Sequence, residues 1–60
     1  MTKDQALILA ATDDDYRARC MRGEWVVWSD AADHVVEFDG DIDAHVRGAL
    51  AYLASFEDAR

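Results

Sequence analysis

Residues 24–28 read EWVVW and residues 34–38 read HVVEF, two short runs of β-branched and aromatic side chains separated by Ser29 to Asp33. Such side chains lose χ1 freedom in a helix and pack well on a pleated surface, so the pair predicts a β-hairpin. Alternation places Val36 and Phe38 on one face of the second strand, with Val35 and Glu37 on the other. In the first strand Trp25 and Val27 share a face, and Val26 and Trp28 share the opposite one. One tryptophan must therefore point away from whatever covers the sheet. Two strands alone are marginal in water, so the flanks have to supply helices that bury one face.

The flanks carry helix signals. Thr2 followed by Gln5 has the capping-box spacing, and residues 3–11 are good helix formers, so a helix is expected to begin at residue 3. Thr12 with Asp13, Asp14 and Asp15 reads as the acidic start of a second helical segment with Arg17, Arg19 and Arg22 near its end. Asp13 with Arg17 and Asp15 with Arg19 are spaced i,i+4. Gly23 reads as the stop. After the turn Asp39-Gly40-Asp41, the residues Ile42, Val46, Ala49, Leu50, Leu53 and Ala54 recur with helical period, capped by Asp41 or Asp43 and running to about Phe56 or Glu57. The expected fold class is α+β: a small single domain, residues 1–60, of one or two N-terminal helical segments, a β-hairpin and a C-terminal helix (αββα).

A 60-residue chain buries only about 60% of its unfolded surface, so its core needs support. The single Cys20 excludes an internal disulfide and reads as a small buried apolar group, which leaves tight packing as a monomer or assembly as a homodimer. Hydrophobic residues make up 52% of the chain, above the disordered range, but the longest apolar run is Ala6 to Ala11, far short of a bilayer span. With no secretory-signal pattern and a lone cysteine, the expected location is cytoplasmic.

Charge is unevenly distributed. Of 13 acidic residues, seven (Glu24, Asp30, Asp33, Glu37, Asp39, Asp41 and Asp43) fall in a segment with no Lys or Arg, and the flanks on either side balance, giving a net charge of −7. A single-signed segment repels itself, and a basic partner surface is one functional reason for it. If extended, Asp39, Asp41 and Asp43 would form an acidic row with a spacing of about 6.6 Å, comparable to every second phosphate of one DNA strand. The same three residues also suit a turn and a helix cap on local grounds. Trp28 beside such acids would be an interface anchor, while core packing is the competing reading of both tryptophans.

Other chemistry is poorly supported. Asp39, Asp41 and Asp43 match the first three ligand positions of a calcium loop, but Ala44 replaces the turn glycine and Leu50 the closing glutamate. His34, His45 and Cys20 form no metal-binding spacing, and no nucleophile arrangement surrounds Asp33 and His34. Gly23, Gly40 and Gly48 make no phosphate loop; Gly48, within a helix, reads as a close-packing position. No cofactor, metal or enzymatic activity is expected, and a charge of −7 disfavours direct nucleic-acid binding.

In size, acidity and helix–hairpin–helix order the chain resembles small phage-encoded inhibitors of host defence, including type I anti-CRISPR proteins. That resemblance implies a DNA mimic in the cytoplasm of a bacterial host. Its partner would be a basic nucleic-acid-binding protein such as a Cas effector subunit, met by Glu24, Asp30, Asp33, Glu37, Asp39, Asp41, Asp43 and Trp28. An antitoxin-like neutralising partner and a structural or oligomeric module with an acidic exterior are the alternatives.

Overall fold

The computed structural model describes residues 1–58. Its elements are α1 (Lys3–Ala10), β1 (Tyr16–Met21), β2 (Glu24–Ser29), β3 (His34–Val35) and α2 (Ile42–Asp58). They form an α+β domain in which a three-stranded antiparallel sheet of order β1-β2-β3 is flanked by an N-terminal and a C-terminal helix.

α1 begins with a complete capping box. Thr2 Oγ1 accepts from the Gln5 amide at 3.2 Å, and Gln5 Oε1 accepts from the Thr2 amide at 2.8 Å, satisfying two of the donors a helix start leaves orphaned. At the other end the Thr12 hydroxyl donates to the Leu9 carbonyl at 2.7 Å and closes the last turn.

The expected second helical segment does not form. Tyr16–Met21 is a strand, paired along its length with β2 from Tyr16 opposite Ser29 to Met21 opposite Glu24. The i,i+4 Asp–Arg pairs are absent too: Arg17 Nη2 instead meets Asp30 across the ladder at 2.6 Å. Gly23 is a hairpin residue, not a helix stop. Arg22 (φ 54°) and Gly23 (φ 79°) are both left-handed, the geometry of a two-residue type I′ turn whose twist matches that of the strands it joins. Tertiary pairing with the strongly β-forming residues 24–28 outweighs the modest helix preference of residues 16–21.

The sheet has one covered face. Ala18 and Tyr16 on β1 and Val27 and Trp25 on β2 turn toward α1, and Val27 is 0% exposed at the centre. Ala6, Leu9 and Ala10 of α1 and Ala49 of α2 complete the buried cluster, with Val36, Phe38 and Val46 packed against it. α1 lies between the sheet and α2, and α2 contacts α1 rather than the strands. This explains why apolar residues run all round α1: two sides of it are covered. β3 is shorter than the expected strand at 34–38, since regular pairing stops at Val35.

Asp41 caps α2, its Oδ1 accepting from the Asp43 amide at 3.0 Å, and the helix reaches Asp58. Two packing expectations fail. Cys20 is exposed near the end of the edge strand β1, and a Cβ at Gly48 would meet nothing within 4 Å, so Gly48 makes no close helix contact.

Two substitutions are expected to stabilise the fold. Gly48→Ala should add about 1 kcal/mol by lowering the entropy lost on folding. Arg22→Asn should add about 0.5–1 kcal/mol by relieving a left-handed arginine. Higher urea midpoints at unchanged m-value would be the result in both cases.

Candidate functional site

The acidic residues gather at two ends of the sheet. β2 carries Glu24 at its start and Ser29 at its end, about 17 Å apart at 3.3 Å per residue, and the acids follow that division. Because β1 is antiparallel to β2, the turn before β1 lies beside the turn after β2. Asp13, Asp14 and Asp15 therefore join Asp30 and Asp33 at one end. At the other end are Glu24, Glu37 and Asp39, followed by Asp41 and Asp43 at the start of α2.

The first end is built on one carboxylate. Asp15 Oδ2 accepts from the buried Ser29 hydroxyl at 2.5 Å, Asp15 Oδ1 accepts from the Ala31 amide at 2.9 Å, and the Asp15 carbonyl accepts from the Asp30 amide at 3.2 Å. Ser29 Oγ in turn accepts from the Ala32 amide at 3.2 Å. Asp33 closes the turn in the left-handed region (φ 57°), which aspartate tolerates, and its amide donates to the Ser29 carbonyl at 2.8 Å. Asp15 is thus a structural residue, while Asp13, Asp14, Asp30 and Asp33 present exposed side chains. The contribution of Asp13–Asp15 to this end becomes visible only once β1 is known to be a strand.

The second end is not an extended row. Gly40 turns the chain at φ 84°, Asp41 folds back as the α2 cap, and Asp43 Oδ1 accepts from Gln5 Nε2 at 3.1 Å. His45 holds the turn down: its Nε2 lies 2.6 Å from the Asp39 carbonyl, and its ring packs edge-on against Phe38 with centroids 5.4 Å apart. A bond to a carbonyl requires the proton on Nε2. Asp39, Asp41 and Asp43 wrap a helix start, so the regular phosphate-like spacing is lost while the exposed charge remains. Among the described residues no three His, Cys, Asp or Glu side chains converge on a metal position.

Beside this end an open groove of about 400 Å³ runs along β2. Trp25, Val27, Val36 and Phe38 form apolar parts of its wall, and Glu24, Glu37 and Asp39 add carboxylates. The Met1 ammonium lies 3.9 Å from Glu24 Oε1, and Lys3 Nζ lies 5.7 Å from the Trp25 ring centre. Trp28 is on the opposite, uncovered face of the sheet, half-buried beneath the Arg19 guanidinium at 4.9 Å. The uncovered face therefore carries an aromatic ring already in a cation–π contact, with Arg17 already paired to Asp30.

Comparison with protein families, curated proteins and solved structures finds no match. No helix among the described residues is long and apolar enough to cross a membrane.

Replacing Asp15 by alanine should cost about 2 kcal/mol, because it strips a buried hydroxyl and a turn amide of their acceptor. Asp14→Ala, on an exposed side chain, should change stability by no more than about 0.5 kcal/mol. Urea denaturation of the two variants would separate the structural acid from the surface acid.

Proposed function

We propose that this chain is a stoichiometric protein-binding inhibitor whose acidic surface occupies the basic, nucleic-acid-binding surface of a partner. The supporting observation is charge without internal compensation. Of the seven carboxylates between Glu24 and Asp43, only Glu24 and Asp30 lie within 4.0 Å of a cation among the described residues. Asp33, Glu37, Asp39, Asp41 and Asp43 keep exposed side chains. A small domain that leaves so many like charges unpaired accepts self-repulsion, and a cationic partner would convert that repulsion into attraction. In its finer form the reading is a DNA mimic that blocks a defence effector such as a CRISPR–Cas complex, in keeping with the resemblance in size and acidity. Its acids are distributed in two groups, so the mimicry is of overall potential and not of phosphate spacing.

An oligomeric module is the second reading, and α2 is what favours it. Leu50, Tyr52 and Phe56 are 48%, 49% and 58% exposed along a helix that outlasts its partner α1. Sedimentation velocity over a concentration series separates the two: self-association supports the module, and a monomer supports the inhibitor.

The inhibitor reading is tested by capture from a lysate of the source organism on immobilised chain, followed by purification of the captured partner and a DNA-competition assay. The chain should displace DNA from the partner at a 1:1 ratio. Its affinity should fall about tenfold or more between 50 and 500 mM salt, as expected for an interface held by screened charges. A variant with Asp33, Glu37, Asp39 and Asp41 changed to Asn or Gln should compete poorly. Salt-independent binding, or full competition by that variant, would refute the proposal.

A further inference from the structure

We propose that the groove beside β2 is a strand-addition site that receives an extended peptide segment of alternating apolar and basic residues from a partner protein. This deepens the inhibitor reading by assigning the partner a specific element, and it rests on that reading only for the partner's identity.

The Asp30 amide donates to the Asp15 carbonyl, which sets the parity of the β1–β2 pairing: even-numbered residues of β2 direct their backbone groups at β1, and Trp25, Val27 and Ser29 direct theirs to the other side. On that side β3 serves only the far end. It pairs Val35 with Trp28 and His34 with Ser29, and the Val36 amide still reaches the Val27 carbonyl at 2.8 Å. Beyond Val36 no strand among the described residues lies on Trp25. Residues 37–39 leave the sheet, with Phe38 packed against the core and the Asp39 carbonyl held by His45, and the groove occupies the place that a longer β3 would have filled.

The stretch left open on this side runs from Glu24 to Val26 and centres on Trp25, about 10 Å of strand and room for a segment of about three residues. Backbone pairing to the Trp25 N–H and C=O would hold such a segment, as in other strand-addition complexes, and the wall would choose its side chains. Trp25, Val36 and Phe38 suit apolar groups. Glu37 and Asp39, on the wall that faces β2, suit Lys or Arg. The Glu24 end is already served by the Met1 ammonium at 3.9 Å and by Lys3 near Trp25, so the basic preference belongs to the Glu37–Asp39 wall. The groove's volume of about 400 Å³ lies within the range of sites that bind small ligands and short segments.

The test uses the full chain, ¹⁵N-labelled, and an end-blocked heptapeptide of alternating arginine and valine. Two further heptapeptides carry the same side chains with backbone N-methyl groups in one or the other alternate frame. Shift changes are expected at the amides of Trp25, Val27 and Phe38. One N-methyl frame should bind about tenfold or more weaker than the other, since only alternate amides of an added strand face β2. The double variant E37Q/D39N should bind the unmodified peptide roughly fivefold to tenfold weaker, from two exposed charge pairs. The proposal is overturned by equal binding of both N-methyl frames, by shift changes confined to the Asp13–Asp15 end or to α2, or by the same shifts on raising protein concentration without peptide. The last result would give the groove to a second copy. The two proposals can fail separately. If DNA competition fails while the peptide titration succeeds, the inhibitor reading falls and the groove stands. If a captured partner binds E37Q/D39N as tightly as the unmodified chain, the groove falls and the inhibitor reading stands.

Discussion

The packing of Val27 against α1 is the contact on which the fold depends. Val27 is fully buried at the centre of the middle strand, and the residues that close over it are Ala6, Leu9 and Ala10 of α1, with Ala49 of α2 behind them. Alanines bring backbones close together but bury little apolar area, so the hydrophobic core is small even for a chain of this length. Polar contacts between elements and turns make up part of the difference. Gln5 ties α1 to Asp43, Asp15 ties the first turn to Ser29, and His45 ties α2 to the Asp39 turn. Each fixes a segment that the core does not reach.

The same arrangement makes the charge tolerable. With a net charge of −7, a compact domain gains from keeping its acids apart, and the sheet separates them by the length of β2, about 17 Å. That exceeds the screening length of about 8 Å at physiological ionic strength, so the self-repulsion is confined largely to the acids within each end. Within each end the acids are useful locally: Asp41 caps a helix, Asp33 accepts a left-handed turn, and Asp15 satisfies a buried hydroxyl.

Much of the fold was legible in the residues. The capping pair Thr2 and Gln5, the β-forming runs around Trp25–Trp28 and His34–Val35, and the periodic stripe from Ile42 all correspond to elements of the structure. The strand Tyr16–Met21 was not, because Asp–Arg spacing and a following glycine are honest helix signals when taken locally. The opposing signal is the alternation of Tyr16, Ala18 and Cys20 with Arg17 and Arg19, leading through Arg22-Gly23 into EWVVW. That pattern gains force only when the next strand is considered as its partner. The candidate surface was legible as a count of acids but not as a grouping, since the position of Asp13–Asp15 beside Asp30 and Asp33 depends on the missed strand. The groove was invisible in the sequence for a related reason: residues 34–38 look like one strand, and nothing local to them marks the end of regular pairing at Val35.

The meander order of the sheet has a consequence for how the chain reaches this state. β1 pairs with β2 across a two-residue turn, and β2 pairs with β3 across the next turn, so sheet formation requires closure only of short loops. The more distant steps are the packing of α1 over Val27 of β2 and the docking of α2 onto α1. Short loops cost little entropy to close, and domains dominated by local contacts fold on the microsecond to millisecond scale. The sheet can thus form early as a scaffold, with the seating of Ala49 behind α1 as the late event.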